Sequence, residues 1–206
     1  MIATQEATAT PVKPLLVGVL ALQGAYDAHA RILSDLGATS RLVRLPQDLD
    51  GLDGLILPGG ESTTMLKFLE RNGFFDLLQS YVKTTPTFGT CAGAILLAAQ
   101  VEGPAQRSLG ALDITVQRNA YGRQIDSSIL TAETTLAGGP LEMVFIRAPR
   151  ITRTGASVEI LATRDGFPTL VSSGNLMAAT FHPELSHDPR VHQFFLDLVL
   201  QHKNSI

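Results

Sequence analysis

The hydrophobic positions of this 206-residue chain follow two rhythms. Residues 15–22 (Leu-Leu-Val-Gly-Val-Leu-Ala-Leu) form an unbroken apolar run, as expected for a strand buried on both faces of a parallel sheet. After Gln23-Gly24 the spacing lengthens. Ala25, Ala28, Ile32, Leu33 and Leu36 fit one face of a helix, and Gly37 is placed to end it. Residues 41–45 and 52–57 read as the next strands, the second ending at Pro58-Gly59-Gly60. Ser62 is placed to cap a helix that carries Met65, Leu66 and Leu69 and stops near Gly73. A short helix over 74–82 and a brief strand over 86–89 follow, and Cys91 opens an Ala- and Leu-rich helix to about residue 100. This alternation argues for a right-handed, doubly wound α/β fold with a mostly parallel sheet and helices on both faces.

The second half changes character. Residues 112–117, 128–134, 143–147, 157–163, 169–173 and 177–181 read as strands, some of them antiparallel additions at a sheet edge. A closing helix has Asp188 as cap, Pro189 at its first position, and Val191, Phe194, Phe195 and Leu198 at helical spacing. With no linker or internal repeat in view, residues 15–206 read as a single domain preceded by a flexible extension over 1–14. Lys13 before the first apolar run imitates a signal peptide, but the run has strand length and leads straight into a turn and a helix. The expected location is cytoplasmic.

Composition narrows the partners. Apolar residues make up 45% and charged residues 17%, enough for a packed core. The formal net charge is −3 and no basic run is present, which argues against nucleic acid. No apolar run approaches the roughly 18 residues of a membrane span. The single cysteine excludes an internal disulfide, and the lack of a Cys/His cluster argues against a structural zinc site. No metal or cofactor is expected.

Three unusual segments fall at predicted strand ends, where open α/β sheets place their sites. Gly89-Thr90-Cys91-Ala92-Gly93 has the form of a nucleophile elbow. The helix that follows turns its positive end toward the sulfur, which favours thiolate, and the Ala92 N–H is placed to stabilise an oxyanion. A lone cysteine usually reads as a small buried residue; the flanking glycines reverse that reading. His182-Pro183-Glu184 supplies a base and a carboxylate to orient it. Their i, i+2 spacing puts both side chains on one side of an extended segment, and Pro183 keeps His182 out of the helical region. Gly59 and Gly60 let consecutive N–H groups converge on an anion, and the Lys of a phosphate loop is missing. His29, His187, His192 and His202 have no comparable context and read as surface or structural residues.

Together these segments resemble the class I (triad) glutamine amidotransferases. The resemblance narrows to the glutaminase subunits of pyridoxal 5′-phosphate synthase. It rests on Leu22-Gln23-Gly24-Ala25, the run from Leu57 through Gly60-Glu61-Ser62 to Met65, Phe88 through Gly93, Gln117-Arg118-Asn119-Ala120-Tyr121-Gly122-Arg123-Gln124, Phe145-Ile146-Arg147-Ala148-Pro149 and Phe181 through Leu185. It implies a flavodoxin-like fold of the class I amidotransferase type. It also implies roles. Cys91 attacks the glutamine carboxamide, His182 shuttles protons and Glu184 orients it. Gly60, Glu61 and Ser62 hold glutamine, Arg118 pairs with its α-carboxylate, and Ile146 and Arg147 complete the wall. Gly59, Gly60 and Ala92 form the oxyanion hole, and Gln23 and Gly24 sit where a barrel-shaped synthase subunit docks to receive ammonia. Without the resemblance, Arg118 and Arg147 would read as surface ion pairs. Tyr121 stands where Phe is common, and Ser127-Ser128 replaces a more usual Ser-Phe. Two other enzyme readings stay open: a triad glutaminase of another synthase, and a free γ-glutamyl hydrolase. A non-catalytic glutamine-binding module is the reading from a different class.

Overall fold

The computed structural model describes residues 13–120 and 127–205. In it, β1 (Leu16–Leu20) leads through α1 (Tyr26–Asp35) to β2 (Thr39–Val43), and a 3-10 turn at Pro46–Leu49 precedes β3 (Gly54–Leu57). α2 (Ser62–Leu69), a 3-10 turn at Arg71–Gly73 and α3 (Phe74–Tyr81) connect it to β4 (Thr87–Thr90). α4 (Ala92–Leu97) is followed by β5 (Ala98–Glu102), β6 (Leu112–Gln117), β7 (Ser127–Ala132), β8 (Leu141–Ile146), β9 (Arg150–Thr154), β10 (Glu159–Arg164), β11 (Phe167–Ser173) and β12 (Leu176–Ala179). A 3-10 turn at Pro183–Leu185 and α5 (Arg190–Lys203) close the chain. Most of residues 1–14, and Tyr121 to Gln124 of the shared motif, lie outside the described residues.

The main sheet has seven strands in the order β10-β11-β12-β4-β3-β1-β2. From β12 to β2 every pairing is parallel, whereas β10·β11 and β11·β12 are antiparallel. The expected antiparallel edge is therefore real, but it takes only part of the second half. β5-β6-β9 forms a separate three-stranded sheet and β7-β8 a two-stranded one.

Strand alternation divides the apolar residues between two cores. Leu55 and Leu57 of β3 face the layer of α2, α3 and α4, with Leu69, Phe75, Leu78 and Leu96. Ile56 faces the other layer, with Leu33 of α1, Phe195 and Val199 of α5, and Met143 and Phe145 of β8. Both faces are buried, so a helix-free reading of the apolar runs as strands succeeds.

Five expectations change. The cap of α2 is Glu61, not Ser62: its carboxylate accepts from the N–H groups of Thr63 and Thr64, and Ser62 is the first helical residue. A carboxylate reaches two orphan donors at once and also favours the positive helix end. The helix after Cys91 stops at Leu97 rather than near residue 100, because Ala98–Glu102 pairs with β6 and buries Ala98 and Val101. Strand β9 was not legible in Arg-Ile-Thr-Arg-Thr, where Ile151 is the residue that reaches the core. His182 and Glu184 are related by a 3-10 turn rather than an extended segment. Finally, the last helix begins one residue later than expected: Pro189 is its cap and Arg190 its first residue, while the Asp188 carboxylate accepts from the Arg190 N–H at 3.0 Å just outside it.

Candidate active site

The carboxyl ends of β1, β3, β4, β6, β8 and β12 deliver the site. Gln23 follows β1, Gly59 to Ser62 follow β3, Cys91 follows β4, Arg118 follows β6, Arg147 follows β8 and His182 follows β12. Gln23, Gly60, Glu61, Ser62, Cys91, Arg118, Ile146, Arg147 and His182 line one cavity of about 210 Å³, joined by Ile95, Asn119 and Pro149. Most of the residues singled out in the sequence thus converge, although they come from across the chain.

The elbow is set by packing. The Cys91 N–H donates to the Ala179 carbonyl of β12 at 2.8 Å, which ties the turn to the neighbouring strand. The Cys91 backbone lies at φ 48, ψ −101, a sparsely populated region for a non-glycine residue. Asn119 and Arg147 also have positive φ, at 52 and 46. Three strained residues facing one cavity are typical of a site held by its surroundings. A side chain on Gly93 would overlap the Leu57 carbonyl, and a Cβ on Gly89 would lie 2.5 Å from the Gly93 oxygen. Both glycines therefore let α4 cross close over β3 and β4.

His182 is 8% exposed and Glu184 6%. The His182 Nδ1 lies 2.7 Å from Glu184 Oε1. A Cβ built on Gly59 would press on the His182 ring and lie 3.4 Å from the Cys91 Cβ, so ring and thiol share the space beside that glycine. Burial works to lower the His182 pKa, but hydrogen bonds and charge from Cys91 and Glu184 outweigh it and push it up to about 10. His182 is thus held as an imidazolium between a sulfur and a carboxylate.

The cavity wall has its own electrostatics. Burial would raise the Glu61 carboxyl, but bonds from the Thr63 and Thr64 hydroxyls and N–H groups outweigh it and hold its pKa at about 2. Arg118 is mostly buried and its Nη2 lies 3.7 Å from Glu61 Oε1, leaving the fork without a bidentate partner on that carboxylate. Ala92, Gly59 and Gly24 contribute backbone atoms, and Gln23 its side chain. Ala92 is the first residue of α4, so its N–H is outside the helix's own ladder. The Gly59 carbonyl accepts from the Ala25 N–H at 3.2 Å, and Gly24 packs against it so closely that a side chain there would overlap that oxygen. Gln23 Oε1 accepts from the Glu61 N–H at 2.7 Å.

Two residues read from sequence as surface or structural are buried behind Glu184. His29 of α1 and His192 of α5 are both 0% exposed. His29 Nδ1 lies 2.9 Å from His192 Nε2, and its Nε2 lies 3.2 Å from the Thr90 hydroxyl and 3.4 Å from Glu184 Oε2. Burial first, then the charge of His192 and His182, takes the His29 pKa well below the usual histidine range. Burial takes His192 down to about 4. A signal existed: His29 precedes Leu33 by one helical turn, and His192 precedes Phe195 by three residues, so both sit on apolar faces.

The model of the SNO glutamine amidotransferase family matches residues 19–201. The chain is 60% identical to the pyridoxal 5′-phosphate synthase subunit PdxT of Koribacter versatilis over 183 residues, covering 89% of this chain and 95% of that protein. It is 50% identical over 185 residues to the PdxT of Thermotoga sp. RQ2, covering 89% and 98%. A crystal structure of a glutamine amidotransferase superposes with TM-score 0.82 at 45% identity, covering 89% of this chain and 98% of that one. A glutamine amidotransferase from Thermotoga maritima, 16% identical with TM-score 0.60 over 93% and 86% of the two chains, shares the fold.

Proposed function

Since the chain belongs to the SNO glutamine amidotransferase family, we propose that it hydrolyses L-glutamine to L-glutamate and ammonia and passes the ammonia to a pyridoxal 5′-phosphate synthase subunit. The observation that carries the chemistry is the buried His182, 2.7 Å from Glu184 and beside Cys91 at the wall of a polar cavity. Glutamine lies in that cavity with its α-carboxylate on Arg118, whose planar fork suits a carboxylate. Ile146, Arg147, Gly60, Glu61 and Ser62 hold the rest of it.

Cys91 attacks the carboxamide carbon, and the carbonyl oxygen becomes an oxyanion facing the N–H groups of Ala92 and the Gly59-Gly60 segment. His182 gives its proton to the departing nitrogen, the C–N bond breaks, and a glutamyl thioester and ammonia result. Water then attacks the thioester while His182 takes its proton, and the C–S bond breaks to release glutamate and restore the thiolate beside the imidazolium. Glu184 holds the imidazole and balances the imidazolium. Protein groups and water suffice for each step.

Docking of the synthase subunit gates this cycle. The loop of Gln23 and Gly24 touches the Gly59–Glu61 segment directly: Gln23 accepts from the Glu61 N–H, Gly24 packs on the Gly59 carbonyl, and the next residue, Ala25, donates to that carbonyl. A partner that moves the loop after β1 therefore moves the donors that stabilise the oxyanion. Residues 15–206 act as one amidotransferase domain, in the cytoplasm. No helix of the described residues is long and apolar enough to cross a membrane.

The test feeds [amide-¹⁵N]glutamine to the mixed subunits with pentose and triose phosphates. Appearance of ¹⁵N in pyridoxal 5′-phosphate supports the reading. Glutamate release without label in the product would assign the ammonia to another acceptor.

A further inference from the structure

Glu184 has two carboxylate oxygens, and the triad uses only one. Oε1 receives His182 Nδ1 at 2.7 Å. Oε2 is buried and makes no hydrogen bond of good geometry among the described residues. The polar group that faces it is His29 Nε2, at 3.4 Å. Behind His29 lies His192, with Nδ1 and Nε2 of the two rings 2.9 Å apart. The His192 Nδ1 is buried without a partner.

These contacts select one arrangement of protons. If His29 donated from Nδ1 to His192, its Nε2 lone pair would face the carboxylate, and His192 Nδ1 would be an orphaned buried N–H. If His192 donates from Nε2 to His29 Nδ1, His29 Nε2 carries a proton toward Oε2 and the Thr90 hydroxyl, and His192 is left with only a bare lone pair at Nδ1. An unmet donor costs more than an unmet acceptor of this kind, and a lone pair against a carboxylate is repulsive. The second arrangement makes a directed chain from His192 through His29 and Glu184 to His182.

We infer that His29, backed by His192, is a positioning residue for the triad: its Nε2–H supports the second oxygen of Glu184 and so fixes the carboxylate that orients His182. The inference rests on the reading of Cys91, His182 and Glu184 as the triad. Two imidazoles inside an apolar layer carry a desolvation cost that a hydrocarbon pair would avoid. The chain to Glu184 accounts for their presence.

The experiment measures glutamate release by the subunit mixed with its synthase partner, comparing wild type, His29→Leu, His29→Gln and Cys91→Ala. His29→Leu should lower kcat by about 10- to 100-fold and leave KM within about twofold, as expected when a hydrogen bond to a charged group that touches no substrate is removed. His29→Gln keeps an amide N–H near the Nε2 position and should recover most of the loss. A kcat for His29→Leu within about twofold of wild type would overturn the inference, and so would equal losses in the Leu and Gln variants. If His29→Leu does not fold, His192→Leu against His192→Gln tests the same chain from its far end, with kcat lost in the first and retained in the second; equal values would overturn it. Cys91→Ala separates the two layers of the argument. Activity in that variant sinks the triad itself, whereas a dead Cys91→Ala beside unaffected histidine variants sinks only the role of His29.

Discussion

Gly89→Ala sets two opposed effects against each other. Replacing a strand glycine with alanine stabilises by about 0.4–1 kcal/mol through the unfolded chain, where the backbone allows it. Gly89 is not among the glycines with positive φ, so its backbone does allow it. The new Cβ, however, would lie 2.5 Å from the Gly93 oxygen, 2.6 Å from the Gly93 carbon and 2.8 Å from the Ala94 nitrogen. All three atoms are backbone of α4, so no flexible side chain can yield. Reaching the 3.0 Å floor of real Cβ contacts needs a shift of about 0.5 Å, and ordinary contact at 3.4 Å needs about 0.9 Å. Such overpacking costs about 1–3 kcal/mol, which outweighs the entropic gain. The net loss of about 1–2 kcal/mol should lower Tm by roughly 2–8 °C for a chain of this size. The activity effect should be larger. Cys91 lies two residues beyond Gly89 at the turn into α4, and a displacement near 1 Å costs about 100-fold in a positioned reaction. Thermal unfolding and glutamate release in the complex measure the two effects on one preparation. A variant as stable and active as wild type would refute the packing argument. A destabilised but fully active variant would refute the link from that packing to the position of Cys91.

Other consequences follow from the same geometry. Glu184→Gln should lower kcat at least about 100-fold with little change in KM, because the amide cannot balance the imidazolium; glutamate release at saturating glutamine checks it. Arg118→Lys should raise KM for glutamine about tenfold and change kcat less, since a point charge replaces a fork on the α-carboxylate; initial rates across glutamine concentrations separate the two constants. His192, whose folded pKa is depressed to about 4, is held neutral in the native state and takes up a proton on unfolding below its ordinary value of 6.5. Its contribution is therefore fully present above pH 6.5 and is lost as pH falls toward 4, by up to about 3 kcal/mol. His29 acts in the same direction. Denaturant midpoints at pH 4.5 and 7 should differ accordingly, and His192→Leu should flatten the difference; an unchanged slope would show that these rings are not the source.

The sequence announced the parts of the fold in which one local pattern had one meaning. Residues 15–22 and 54–57 are apolar without a break because both sheet faces are covered, and no helix has room in so short a run. The elbow was legible because Gly89 and Gly93 flank the single cysteine, and His182-Pro183-Glu184 because the chemistry needs a base and an orienter together. What was hidden depended on distant partners. Ala98 to Val101 suits a helix locally, and only pairing with β6 makes it a strand. Glu61 read as a substrate ligand, and in the structure its carboxylate caps α2, a role that Ser62 beside it had masked. The buried face of His29 follows from its periodicity, but its neighbours Thr90 and His192 lie 61 and 163 residues away. Their meeting is a property of the assembled sheet and the helices packed on it.

The central claim is that Cys91 carries out a glutaminase reaction that its partner switches on. Glutamate release from glutamine should therefore be measured for the purified chain alone, for the chain with the synthase subunit, and for Cys91→Ala with the synthase subunit. The account predicts release only in the wild-type mixture. Equal release by the chain alone would contradict the gating and point to a free hydrolase, and release by Cys91→Ala would contradict the triad.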